Sequence, residues 1–321
     1  MKIAFDIMGG DYAPSEALKG VQLFLDENQD QSVHLLLIGT PDTKVACNEL
    51  LSSAYKGRYT YVDAPQVIGM DEHPTKALKE KQQSSIAIGF GMLQAKKADA
   101  FISAGNTGAM MVGAMYTVKN IPGVQRPTIA SPVPRIDGAF NLLLDVGINA
   151  DCKPENLLQF AQLGSMYMKH VMGVENPKVG LLNIGEEEGK GNILAQATYP
   201  LLKANKDLNF VGNIEGRDIF TTKADIIVCE GFVGNVILKL SESLYHLLIE
   251  QRKIQDEFLD TFNHEIYGGT PILGINDTVI IGHGVSHALA FKNMIEVASR
   301  NIKVNLQEKL KNYFSPEEEQ A

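Results

Sequence analysis

Cysteine is scarce in this chain: Cys47, Cys152 and Cys229 are three in number, and no CxxC pair occurs among 321 residues. That excludes a disulfide framework and a zinc cluster. Two common catalytic strings are missing as well. Without a G-x-S-x-G elbow or a GxxxxGK[ST] loop, neither an acyl-serine hydrolase nor a P-loop enzyme is indicated. The string GFGMLQ at 89–94 lacks the third glycine of a dinucleotide fingerprint and lies in a helix-like stretch. No uninterrupted apolar run reaches the roughly 18–20 residues of a membrane span. The opening MKIAFDIMGGD breaks too early for the apolar core of a signal peptide. A soluble, cytoplasmic chain is expected, with any membrane contact peripheral. No cofactor and no metal are expected. Positive charge is in deficit too: the net charge of −9 argues against general nucleic-acid binding.

What is present is an ordinary globular composition, 45% hydrophobic and 21% charged, with no fixed repeat and no Pro/Ser-rich linker. Short apolar runs alternate with longer amphipathic stretches. Strands are expected at 2–7, 32–39, 58–65, 99–105, 141–147, 178–185, 208–216 and 224–231. Each ends in glycine within a few residues, except the third. Runs apolar on both faces, separated by helices, predict an α/β fold with a mixed, mostly parallel sheet and helices on both faces. Helices are expected from Ser15, as a cap, and over 75–98. The segment 236–262 reads as one long helix or a helical hairpin, with Leu240, Leu244, Leu247, Leu248, Ile254, Phe258 and Phe262 near helical spacing. A closing helix follows from Ser286 to about Tyr313, then an acidic tail. Two lobes are expected, about 1–95 with 276–321, and 96–275.

Four glycine loops at strand ends carry the candidate chemistry, because ligands of such sheets bind beyond the strand C-termini. The first holds Asp6, Gly9, Gly10 and Asp11. Its paired glycines let amides approach an anion, although the same residues suit a tight turn. The second, Ser103, Gly105, Asn106, Thr107 and Gly108, offers neutral donors to a phosphate; its small residues equally suit close helix packing. The third places Lys190 between two glycines after three glutamates, with Asn192 behind it. The fourth runs Glu230 to Asn235, where Asn235 either faces a cleft or caps the following helix. His283 sits between glycines at another strand end; with His287 it lacks a third metal ligand. Cys229 reads as core.

The strings DIMGGDYAP, ISAGNTGA, LLLDVGINADCKPEN, GLLNIGEEEGKGN, GNIEGRD, CEGFVGNVILK and YGGTPILG…HGVSHALAFKN are similar, in order and from about residue 3 to about 300, to those of the PlsX family of phosphate:acyl-(acyl carrier protein) acyltransferases. Ile7 and Ile148 stand where that family usually has alanine, and both changes are apolar. The resemblance implies an isocitrate/isopropylmalate dehydrogenase-like fold and a homodimer. It also implies transfer of a long fatty acyl group from acyl carrier protein to inorganic phosphate. The resemblance further implies that the product feeds the membrane acyltransferase PlsY in phospholipid synthesis. The segment 236–262 reads as a dimer or core helix first, with a lipid-touching tip in peripheral membrane contact, or a docking face for the carrier protein, as the other two readings. The bottom-up reading suits that chemistry: phosphate attacks a thioester, and a thiolate with a pKa near ~8.5 leaves with little acid help. What remains is to hold an anion and stabilise an oxyanion. Phosphate is assigned to the first two loops with Lys190; Asn192, Asn235 and His283 are assigned to the carbonyl or leaving sulfur. An acidic carrier needs a local basic patch, near Lys76, Lys79 and Lys81 or near Lys96 and Lys97.

Overall fold

A computed structural model describes residues 1–51 and 55–315; the expected acidic tail lies outside them from residue 316 onward. The chain divides into two compact units, Met1–Asn120 with Glu265–Gln307, and Ile121–His264 with Glu308–Ala321. The boundary read from sequence near residue 95 differs. Strand β4 (Ala100–Ser103) pairs in parallel with β1 (Lys2–Asp6), so it belongs to the first unit. The chain end from Glu308 goes with the second unit, where the Tyr313 hydroxyl meets Gln162 and Asp207.

In the first unit the strand order is β3-β2-β1-β4-β11-β10, adding β2 (His34–Gly39), β3 (Tyr59–Asp63), β10 (Thr270–Leu273) and β11 (Thr278–Ile281). Five of these strands are parallel, and β10 runs antiparallel to β11. Alternation along β1 sends Ile3, Phe5 and Ile7 toward α1 (Ser15–Glu27) and α10 (Ala288–Lys303). There Phe24, Phe291, Met294 and Ile295 are buried, and the Phe5 and Phe291 rings stand 5.7 Å apart. Burying each such side chain stabilises the fold by about 1.5–3 kcal/mol. Gly20 permits the helix contact, since a Cβ there would lie 2.5 Å from the Phe291 Cβ. Phe101 points the other way and meets Phe90 of α4 (Ser85–Gln94) edge-on at 5.0 Å.

In the second unit the order is β5-β6-β9-β7-β8, from β5 (Thr128–Pro134), β6 (Phe140–Leu144), β7 (Lys178–Leu182), β8 (Asn209–Ile214) and β9 (Ile226–Val228). All are parallel except β5, which runs antiparallel to β6. Helix α6 (Pro154–His170) packs on β6 and β9, and α7 (Ile193–Ala204) on β7 and β8. Both units are therefore α/β with mostly parallel strands.

Several element boundaries depart from expectation. The stretch 75–98 is two helices, α3 (Pro74–Glu80) and α4, because Ser84 accepts from the Ala87 amide and starts the second. Ser15 is the first helical residue of α1, not its cap, since Pro14 holds that position without a side-chain bond. The long helix begins at Gly231, not 236. It runs as α8 (Gly231–Tyr245) into a π-helical turn, His246–Gln251, and α9 (Glu257–Asp260) follows. That continuous helix, Gly231–Gln251, is long and apolar enough to cross a membrane by length and composition. Inspecting for unbroken apolar runs misses it because Lys239 and Glu242 interrupt the sequence. The closing helix is likewise two, α10 and α11 (Leu306–Phe314), broken at Asn305 with φ +56°.

Candidate active site

Strands β1, β4 and β11 end abreast, with Ser103 paired to both Asp6 and Ile281. Their loops are tied together by backbone bonds: the Asp11 amide donates to the Gly284 carbonyl (2.7 Å) and the Gly282 amide to the Ser103 carbonyl (2.9 Å). Gly9 sits so close to the second loop that a Cβ there would lie 2.5 Å from the Gly105 amide nitrogen. Gly10 adopts φ +104°, a left-handed conformation that glycine enters without steric cost. The first unit therefore brings Asp6, Gly9, Gly10, Asp11, Ser103, Gly105 and the His283 loop into one cluster.

Asp6 lies beneath this cluster, buried to 1% exposure. Its carboxylate accepts from the Ser103 hydroxyl (2.7 Å) and the Met8 amide (3.0 Å), while Ser103 Oγ accepts from the Gly105 amide (2.9 Å). Burial pushes its pKa above the usual carboxylate range, and the hydrogen bonds oppose that shift. Geometry makes Asp6 a support for both loops. Asn106 is a support too: its amide donates to the carbonyls of Gly69 (2.9 Å), Met70 (3.2 Å) and Glu72 (3.0 Å). Its oxygen caps α5 (Thr107–Gly113) through the Ala109 amide (2.9 Å). Asp11 and Thr107 are exposed; Gly108 and His283 are half-buried.

The second unit carries Lys190, Asn192 and Asn235. Asn235 is not a cap. It lies inside α8, whose cap is Glu230, accepting from the Val233 amide (2.9 Å). Its side chain stands over Gly147, φ +131°, where a Cβ would come within 3.6 Å of it. The capping role belongs instead to Asn192, which accepts from the Ala195 amide at the start of α7 (2.8 Å). Lys190 is exposed in the intervening loop, held by its backbone to Glu187 and Asn183. Among the described residues its ammonium has no ion-pair partner, whereas Glu186 meets Lys223 (2.6 Å) and Glu188 meets Lys203 (2.9 Å). Of the lysines weighed for a basic patch, Lys81 pairs with Glu72 and Lys96 with Asp277.

One constellation escaped the sequence reading. Asp145, at the end of β6, is fully buried and accepts from the Ile129 amide (3.0 Å), the Asn149 amide (2.7 Å), the Asn149 side chain (3.0 Å) and the Thr128 hydroxyl (3.2 Å). Burial raises its pKa against those bonds. The signal was in the sequence, since DVG after β6 has the same form as the aspartate and glycines after β1.

The second unit also holds a half-open cavity of about 390 Å³. Leu157, Leu181, Ala195 and Cys229 form its buried depth, and Asn192, Ile184 and Val233 its exposed rim. Burial pushes the Cys47 and Cys152 thiols up to about 11 and that of Cys229 well above the usual thiol value. At neutral pH all three stay protonated and poorly nucleophilic. Among the described residues no group of His, Cys, Asp and Glu is placed to hold a metal ion.

A family model described as "Fatty acid synthesis protein" matches residues 1–309. The phosphate acyltransferase of Dictyoglomus turgidum is 42% identical over 97% of this chain and 96% of its own length. That of Chlorobaculum parvum is 41% identical over 97% and 98%. Among solved structures, a phosphotransacetylase from Streptococcus pyogenes superposes with a TM-score of 0.63 at 18% identity, covering 94% of each chain. A branched-chain phosphotransacylase from Enterococcus faecalis gives 0.62 at 14% identity, covering 94% of this chain and 99% of its own. At such identity the structural likeness speaks for the fold. The sequence likeness, nearly end to end, speaks for more: the chain belongs to the phosphate acyltransferase, or PlsX, family and is an acyltransferase of fatty acid synthesis.

Proposed function

We propose that this acyltransferase moves a long fatty acyl group from the thioester of an acyl carrier protein to inorganic phosphate. The products are an acyl phosphate and the carrier's free thiol. The observation that carries the reading is the likeness, over nearly the whole chain, to phosphate acyltransferases. A phosphate oxygen attacks the thioester carbon, forming a C–O bond and a tetrahedral oxyanion. Collapse breaks the C–S bond, the electron pair leaves on sulfur, and the proton given up by hydrogen phosphate ends on the thiolate, directly or through water. No enzyme nucleophile is needed, in keeping with three cysteines held protonated.

In this proposal the loops bearing Gly9, Gly10, Asp11, Gly105, Thr107 and Gly108 hold phosphate through their unengaged amides and the Thr107 hydroxyl. Ser103, whose hydroxyl donates to Asp6 and accepts from the Gly105 amide, braces them. Asp6 and Asn106 keep those loops in shape. Lys190, a cation with no acidic partner among the described residues, offsets phosphate charge. Asn192, Asn235 and His283 stabilise the oxyanion or the departing sulfur. The acyl phosphate is passed to the membrane acyltransferase PlsY, and the enzyme works as a cytoplasmic homodimer with the α8 region touching lipid. Phe232, Val236, Leu240 and Leu247, all largely exposed, recur along that helix at near-helical spacing and support such a contact.

The test is thiol release with phosphate and either palmitoyl-(acyl carrier protein) or acetyl-coenzyme A. Release from the carrier alone is expected, with Lys190→Ala raising the phosphate KM at least tenfold. Release only from acetyl-coenzyme A would replace the reading with short-chain phosphotransacetylation. A Lys190→Ala enzyme with wild-type rate and KM would remove Lys190 from the site.

A further inference from the structure

Apart from Asn192 at its rim, the cavity of the second unit is not used by any step above, and its chemistry is one-sided. Its depth is hydrocarbon and a protonated thiol: Leu157 is 2% exposed, Leu181 1% and Cys229 5%. Leu194 of α7 and Ile237 of α8 wall it between two helices. Polar groups enter the lining as Asn183, Asn192 and Glu230. Two of those three are helix caps, whose capping oxygens are already engaged. The rim is unusual for a water-facing surface, since Ile184 is 82% exposed, and Ile193, next in sequence to the rim residue Asn192, is 88% exposed. Such residues gain by being covered, so the cavity and its rim together favour an apolar guest with a polar end.

We infer that this cavity receives the hydrocarbon chain of the acyl donor, with the chain's tail toward Cys229 and Leu157 and its thioester end toward Asn192. The inference rests on the acyl-transfer reading and adds to it a place for the chain and a length rule. A methylene occupies about as much space as a water's ~30 Å³ share of the liquid, so about 390 Å³ takes roughly a dozen carbons. Each methylene sheltered there improves binding about fourfold, until the cavity is full. Selectivity then levels off. Lengthening the chain beyond that point adds nothing, because the extra carbons leave through the pocket's open side into water.

The experiment measures kcat/KM of the full chain for phosphate-dependent thiol release from acyl carrier proteins bearing acyl groups of about 4 to 18 carbons. Wild type should climb with length and level off at roughly a dozen carbons. Ile237→Trp, which fills the cavity from α8, should lower the ratio of long-chain to short-chain kcat/KM at least tenfold and move the plateau to shorter chains. Folding is checked by circular dichroism, and Val233→Trp at the exposed rim serves if the first variant fails to fold. An unchanged length profile in a folded variant, or an equal fall at every length, would overturn the inference. If wild type releases no thiol from any carrier protein, the acyl-carrier reading fails instead. Binding of a fluorescent long-chain fatty acid then tests the cavity alone: binding weakened by the tryptophan upholds the hydrocarbon site, and binding unaffected by it removes the site.

Discussion

Asp6 and Asp145 meet the same difficulty in different units. Each ends a parallel strand, each is buried almost completely, and each carboxylate is surrounded by donors that fix loop backbone. Burying a charge costs more than those donors return, so both hold a proton more tightly than an exposed aspartate. The consequence for stability has a definite sign. Because the folded-state pKa of Asp6 lies above its ordinary value of 3.8, the folded chain binds a proton that the unfolded chain gives up. The stabilisation is complete below that ordinary value and is lost as pH rises through the folded-state pKa. Asp6→Asn keeps the shape and cannot ionise. Its Tm should therefore fall less than wild type's from about pH 4 upward, whatever the constant offset from altered hydrogen bonds. Asp145 leaves a residual slope in both proteins. Identical Tm–pH slopes would show that Asp6 does not titrate in this range.

At the scale of elements, the entry of α8 is set by a backbone contact. A Cβ on Gly234 would fall well inside contact distance of the Asp145 carbonyl oxygen, and the Gly231 amide donates to the Asn149 carbonyl (2.7 Å). Gly234→Ala must push the helix off the β6 loop, at a cost of about 1–3 kcal/mol or more. Gly91 in α4 has open space at its Cβ position. Gly91→Ala should be neutral or stabilising, by up to about 1 kcal/mol, since alanine favours helix. Thermal melts of the two variants check the contrast; equal effects would mean that helix propensity, not the contact, governs both. This contact also shows where the sequence stops being legible. Strands apolar on both faces and ending in glycine, such as β1, β2 and β4, are visible locally. Strand β5 is not, because Pro132 and Pro134 argue against a ladder that the antiparallel partner β6 nonetheless accepts. Caps at Ser84, Asn192 and Glu230 were hidden among polar residues that could each begin a helix. The glycine loops were found from their strand ends, but the supporting roles of Asp6 and Asn106 depend on partners 97 and 34–37 residues away. The cavity was least legible. Its walls come from Leu157, Leu181, Leu194 and Ile237, each of which reads singly as core.

On the whole molecule, charge and apolar surface pull in different directions. A net charge of −9 repels anionic lipid, and the screening length of about 8 Å at physiological salt limits but does not remove that repulsion. Along Gly231–Gln251, however, Phe232, Val236, Leu240 and Leu247 are 67%, 53%, 62% and 48% exposed, and cluster on one face. Burying such a stripe in an interface releases roughly 25 cal/mol per Å² of apolar area, with no need for basic residues. The membrane contact proposed above is thus hydrophobic, and its lipid dependence should differ from that of a polybasic anchor. In vesicle flotation the full chain should bind neutral vesicles at least as well as anionic ones, and raised salt should not release it. Leu240→Asp with Leu247→Asp should abolish flotation. If the double variant floats like wild type, the stripe does not touch lipid; if it sediments as a monomer where wild type is a dimer, the stripe joins two copies of the chain. Preference for anionic vesicles that salt abolishes would assign binding to a basic patch elsewhere and leave α8 without a membrane role.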